Sequence, residues 1–184
     1  LNAVITAVSQ SFNLRKILND ALPIILEAIR VEGGSVHTLD ESGQFTIIAH
    51  HGFSSEYLRK IDCLRPGQEI VGNTVSFGHP IIVNDYSNNP GAIEIAGFTS
   101  YISFPMKSNS RVLGVLTLAS HSSNAFDAET VRLVSAIADA LGIAVDNARA
   151  ALKLEEANKI REDLLKKLIS AQEEERRRIA RELH

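Results

Sequence analysis

Ser100-Tyr101-Ile102-Ser103-Phe104-Pro105-Met106, then Lys107-Ser108-Asn109-Ser110, then Arg111-Val112-Leu113-Gly114-Val115-Leu116-Thr117-Leu118-Ala119-Ser120: this stretch decides the fold. Two apolar, β-prone runs, Thr99 to Met106 and Arg111 to Ser120, flank four residues of turn composition, which predicts a β-hairpin. Upstream, Pro80 to Val83 reads as a short strand. Further upstream, Ser35 to Leu39 and Phe45 to His50 alternate on either side of Asp40-Glu41-Ser42-Gly43, a second hairpin. Between the hairpins, Ser54 caps a short helix reaching about Lys60, and Glu69 to Ser76 forms another after Pro66-Gly67. Asp85 to Gly97, with Asn88-Asn89-Pro90-Gly91 inside it, is a long loop with one helical turn. A loop of this length in a compact domain is more often functional than idle.

The front of the chain predicts two helices. Leu1 to Phe12 places apolar residues on one helical face, and Asn13 caps a second helix from Leu14 to about Val31. Pro23 bends or restarts that helix, and Gly33-Gly34 ends the helical region. From Phe126 the pattern changes. Asp127 is a cap, and Val131, Val134, Ile137, Leu141 and Val145 keep helical spacing, with Gly142 the only glycine and no proline to the end of the sequence. One helix of nearly sixty residues, about 88 Å long, is expected. Beyond Leu154 its apolar positions thin to Ala157, Ile160, Leu164, Leu168 and Ala171 amid dense charge, the composition of a coiled coil with register breaks near Glu155 and Glu175.

Composition narrows the function classes. The 184 residues suit one domain of about 150 residues plus an appendage. A net charge of −3 gives no general case for nucleic acid or membrane contact. The single cysteine, Cys63, rules out an internal disulfide and argues against a multi-thiolate metal site. It also fits a cytoplasmic protein. No apolar run approaches a membrane span, and the amino end has no signal pattern. With Leu1 in place of Met, we expect further sequence before it. His50-His51 is the one tight histidine pair, and strand neighbours point to opposite faces, so the two cannot chelate one metal.

The order of elements, together with specific residues, resembles a GAF domain. Gly72-Asn73-Thr74-Val75 and Gly78-His79-Pro80-Ile81-Ile82-Val83-Asn84-Asp85 are similar to the family's G-x-x-x and G-x-P-v-x-v-x-D runs. Ser100 to Met106 and Val112 to Leu118 match its s-x-x-x-v-P-l and v-x-G-v-l-x-l strands, and Phe126-Asp127-Ala128-Glu129 opens its last helix. The resemblance covers Leu14 to Ala150 and implies an α+β fold: a central antiparallel sheet, helices on one side, and a ligand pocket on the other. We therefore expect a sensor domain at 1–150, a signalling coiled coil at 151–171 and a further helix start at 172–184. By position, the expected ligand-binding residues are Ile70, Thr74, Asp85, Phe98, Tyr101, Ser103 and Thr117. The small-molecule ligand is unnamed by sequence. Haem-binding members carry the proximal histidine in the stretch matching Asn84 to Phe104; none is present here, which argues against haem in that mode. Bilin attachment, cyclic-nucleotide binding and the multi-cysteine chemistry of free methionine sulfoxide reductases each lack their residues.

The last thirteen residues, Gln172 to His184, read Q-E-E-E-R-R-R-I-A-R-E-L-H. They resemble the H-box of a sensor histidine kinase, in the subclass reading E-R-x-R-I-A-R-E-L-H-D whose partners are NarL-type response regulators. The resemblance implies that His184 is the phospho-acceptor. It also implies that the chain forms a homodimer through its C-terminal helix and that ATP enters only through a kinase domain outside these residues. Without a glycine-rich nucleotide site the chain alone is expected to be inactive. An imidazole on a rigid helix suits the role, since a pKa near 6.5 leaves it largely neutral at pH 7. The competing expectation is a regulatory GAF module serving a transcription factor or a cyclic-nucleotide enzyme.

Overall fold

A computed structural model describes residues 2–40, 42–88, 95 and 97–183, with side chains from residue 14 onward. His184, the expected phospho-acceptor, and residues 89–94 and 96 of the long loop lie outside the described residues. Among the described residues, six strands form one antiparallel sheet: β1 (Gly33–Leu39), β2 (Phe45–His51), β3 (Cys63–Leu64), β4 (Ile81–Val83), β5 (Ser100–Ser108) and β6 (Arg111–Ser120). Their order is β3-β2-β1-β6-β5-β4. The two hairpins read from sequence are β1–β2 and β5–β6, and the pairing of β1 with β6 joins them into one sheet. The helices are α1 (Asn2–Ile29), α2 (Ser55–Ile61), α3 (Glu69–Phe77) and α4 (Ala128–Glu182), with a 3-10 turn at Tyr86–Asn88.

The amino-terminal region departs from expectation. It is one helix rather than two, and Asn13 lies inside it. An interior asparagine carries only a small propensity penalty. The buried face formed by Leu18, Leu22, Ile25, Leu26 and Ile29 outweighs that penalty, and α1 also runs through Pro23, forgoing one backbone bond. Nor does the glycine pair end the helix. Arg30 does, standing in the left-handed region at φ 60. Val31 N–H bonds the Leu26 carbonyl at 3.1 Å and Arg30 N–H that of Glu27 at 3.2 Å, the paired bonds of a Schellman motif. Gly33 and Gly34 instead open β1, where there is no room for side chains. A Cβ on Gly33 would stand 2.5 Å from the Phe98 ring, and one on Gly34 2.9 Å from Leu26.

One face of the sheet is covered by α1 and α4. Leu22 and Leu26 of α1, with Val134, Ala138 and Val145 of α4, pack on Ile102, Phe104, Leu116 and Leu118. Two bulges adjust which residues reach this layer. Val36 pairs with Ala49 and His37 with Ile47, leaving Ile48 as the extra residue. Its carbonyl is taken by Asn19 Nδ2 at 3.0 Å and Arg15 at 3.3 Å, which ties α1 to the bulge. Met106 pairs with Gly114 and Lys107 with Val112, so Leu113 is the extra residue and turns into the same core.

α4 starts at Asp127, whose carboxylate accepts from Thr130 N–H at 2.7 Å. Its contact with the β5–β6 hairpin is tight at Gly142, where a Cβ would lie 2.4 Å from the Lys107 carbonyl oxygen. One turn on, Asp146 accepts from the Ser108 hydroxyl at 2.7 Å and from Arg111 at 3.4 Å, and the Arg149 guanidinium bonds the Leu39 carbonyl. Gly142 therefore marks a close approach within an otherwise continuous helix. From Ala150 to Leu183 none of its side chains is buried.

Candidate functional site

The opposite face of the sheet lies under α2, α3 and the segment around Ile95 and Phe98. Strand alternation sends Tyr101 and Ser103 of β5, and Val115, Thr117 and Ala119 of β6, to this side. Register then aligns a row of hydroxyls, because Ser35 pairs with Thr117 and Thr117 with Ser103. Thr74 of α3 completes it from above. The Thr74 hydroxyl oxygen is 2.8 Å from the Ile70 carbonyl and 2.9 Å from Ser103 Oγ, itself 3.1 Å from Thr117 Oγ1. Each hydroxyl has one proton. The Thr74 hydroxyl is placed to donate either to the Ile70 carbonyl or to Ser103 Oγ, and between Ser103 and Thr117 either hydroxyl can donate. Four of the residues expected at a ligand site, Ile70 through its carbonyl and Thr74, Ser103 and Thr117 through their hydroxyls, thus form one hydrogen-bonded chain, and all four are buried.

Tyr101 and Phe98 lie on the same side and are also buried. Phe98 is wedged among aromatic rings: it meets Phe53 edge-on at 5.4 Å and stacks on His121 at 4.3 Å, over the bare backbone of Gly33. Asp85 stands apart. Its carboxylate accepts from Ser87 N–H at 3.0 Å, from the Ser87 hydroxyl and from Asn88 Nδ2 at 2.8 Å, so it caps the 3-10 turn that begins the long loop. The hydrogen bond from the Ser87 hydroxyl, more than any other contact, holds its pKa below the usual carboxylate range.

His37 was one of several scattered histidines in the sequence, and no motif singled it out. On β1 it lies fully buried beside Val115, two residues from Ser35. Nε2–H donates to the Ile61 carbonyl of α2 at 2.9 Å, which leaves Nδ1 as an acceptor. Nδ1 is buried and has no hydrogen-bond partner among the described residues. Burial pushes its pKa down to about 4, against a smaller opposing pull from the Ile61 carbonyl, so the ring is neutral at pH 7. Plain alternation along β1 puts it on the same face as Ser35; what the sequence does not show is the Ile61 carbonyl of α2 that it meets there. Tyr57 of α2 is the other polar group sequence did not find. Burial, then Glu69 and Tyr101, push its phenol pKa up.

At the β3 edge a cleft of about 350 Å³ opens between α2 and the start of α3, lined by Lys60, Cys63, Leu64, Gln68 and Glu69. Lys60 pairs with Glu69 at 3.2 Å, and the Cys63 thiol donates to Gln44 Oε1 at 2.6 Å. Among the described residues, no group of three His, Cys, Asp or Glu side chains could hold a metal ion. No described helix is long and apolar enough to cross a membrane.

A sheet with one helix-covered apolar face, and one roofed face carrying hydroxyls, defines an α+β domain. The model for the GAF domain matches residues 13–146, and the chain belongs to that family. Three solved structures illustrate the shared fold. The GAF domain of a phosphoenolpyruvate-protein phosphotransferase from Coxiella burnetii is 19% identical with a TM-score of 0.66, covering 82% of this chain and 96% of that one. A type II free methionine-R-sulfoxide reductase from Thermoplasma acidophilum is 18% identical at 0.65, covering 75% and 96%. A domain assigned to a two-component sensor histidine kinase of Sinorhizobium meliloti 1021 is 21% identical at 0.62, covering 76% and 96%. A comparison with curated protein sequences finds no match.

Proposed function

We propose that this chain is the sensory part of a cytoplasmic two-component histidine kinase. Its GAF domain takes a small ligand on the face carrying Thr74, Ser103 and Thr117. The ligand's presence governs ATP-dependent phosphorylation of His184 by a kinase domain beyond these residues, with transfer to a NarL-type response regulator. The observation that carries this reading is the continuity of α4: the helix docked on the sheet by Gly142 and Asp146 is the same one that holds Glu175 to Glu182 of the H-box-like sequence. A kinase-bearing relative of similar fold is consistent with it. A rigid helix between sensor and histidine supplies the positioning that phosphoryl transfer depends on. In a protein carrying the downstream kinase domain, His184→Ala should abolish labelling by radioactive ATP. Labelling that persists at the wild-type level would refute the assignment.

A further inference from the structure

We infer that His37 is a further ligand-contacting residue of the roofed face, and that the ligand is an uncharged, mostly apolar small molecule presenting an N–H or O–H group to its Nδ1. This rests on the reading that a small ligand binds the face carrying Thr74, Ser103 and Thr117, and it adds the chemical class of that ligand.

The imidazole is held in one tautomer. A carbonyl oxygen only accepts, so the Ile61 carbonyl at 2.9 Å puts the ring proton on Nε2 and a lone pair on Nδ1. The two ring nitrogens point in diverging directions, so Nδ1 faces away from the end of α2. Among the described residues, it is the one buried side-chain nitrogen or oxygen without a hydrogen-bond partner. Burial keeps the ring neutral at pH 7, which keeps the lone pair available. For packing alone such an atom is a costly choice. Ile47 and Val115 flank His37 on the neighbouring strands, and a Leu or Phe between them would fill the layer with no acceptor to satisfy. A buried polar atom that gains its partner only on binding is how a site distinguishes a ligand with a donor from one without.

Position ties this atom to the hydroxyl row. Ser35 is two residues from His37 on β1, about 7 Å along the strand. It pairs with Thr117, which pairs with Ser103. His37 and these hydroxyls therefore lie on one side of the sheet, within the span of one small molecule. The surroundings set the ligand's charge and polarity. Among the described residues, the buried polar side chains are hydroxyls and this imidazole, with no Asp, Glu, Lys or Arg. A ligand with net charge would find no counter-charge at this depth, which is strongly unfavourable. The same layer holds Phe45, Ile47, Tyr57 and Val115, so most of the ligand's surface must be apolar. Hydroxyls donate or accept and discriminate little. Nδ1 only accepts, so selectivity for a donor falls to it.

Matched pairs of probes test the inference. Indole, phenol and cyclohexanol each carry one donor on an apolar frame; N-methylindole, anisole and cyclohexyl methyl ether keep the frame and lose the donor. Each is titrated into the isotope-labelled chain and followed by NMR at the backbone amides of Thr74, Ser103 and Thr117. At least one donor probe should bind this face about tenfold more tightly than its methylated counterpart, and His37→Leu should remove that preference. In the wild-type chain the Nδ1 resonance should move upfield with the donor probe, as a nitrogen lone pair does on accepting a hydrogen bond, and stay in place with the counterpart. This signal needs no variant and decides alone where His37→Leu does not fold. Equal affinity within every pair, or an unmoved Nδ1 resonance, would overturn the inference and leave the ligand face standing. Tighter binding of benzoate than of phenol would overturn the uncharged class. Binding of no probe at this face would overturn both the inference and the reading it rests on.

Discussion

On the face covered by α1 and α4, strands β5 and β6 present Ile102, Phe104, Leu116 and Leu118; on the other face the same strands present Tyr101, Ser103, Val115 and Thr117. The first set is held by contact area, which is non-directional and tolerates small shifts of the helices above it. The second interrupts its apolar neighbours with hydroxyls whose donors and acceptors must point in fixed directions, and with a histidine that must stay neutral. The contrast puts non-directional packing in the helical layer and directional hydrogen bonding in the roofed one.

The contrast breaks most visibly at Leu118, which is fully buried between the sheet and the α1–α4 layer. Leu118→Ala should lower unfolding free energy by about 3 kcal/mol in urea denaturation, as large-to-small changes in a packed core do. Loss of less than about 1 kcal/mol would mean that the helical layer packs more loosely than its burial implies.

His37 supplies the next effect, and it depends on pH. Its native pKa is about 4 against about 6.5 when exposed, so between these values the unfolded chain binds a proton that the native one refuses. The stabilisation is complete above about pH 6.5 and is lost as pH falls toward 4, about 3 kcal/mol over the whole window. His37→Gln keeps a donor for the Ile61 carbonyl but does not titrate. Its stability should therefore change less than wild type between pH 7 and 4.5, and equal changes would remove His37 from the account.

The smallest effect belongs to the hydroxyl chain. Thr74→Val keeps the shape while removing two hydrogen bonds, and should cost about 1–2 kcal/mol. Because Ser103 shares one of those bonds, the double change with Ser103→Ala should cost less than the sum of the two single changes. Strict additivity in the double-mutant cycle would show that the chain does not act as a unit.

Much of this arrangement was legible beforehand because it rests on local chemistry. Ser54 and Asp127 cap the helices they were expected to cap, and both hairpins fall where alternation and turn residues put them. What was misread depends on distant partners. Gly33-Gly34 has the composition of a helix stop but answers to Phe98 and Leu26, while the real stop, Arg30, lacks the glycine that usually marks one. β3 has two residues and no periodicity to detect. At the site, the likeness to the family brought Thr74, Ser103 and Thr117 together as candidates, but their hydrogen bonding depends on strand register. His37 required knowing that the end of α2 packs over β1, and Asp85 proved to serve its own turn.

Lys107 belongs to both layers at once. Its ammonium donates to the Gly78 carbonyl, at the end of α3, at 2.6 Å, while its main chain lies against α4 where Gly142 leaves no space for even a methyl group. The two layers thus share a fulcrum at the end of the sheet. The Gly78 carbonyl that caps α3 and the close approach of α4 at Gly142 cannot move apart unless this one residue changes its backbone or releases its ion–dipole bond.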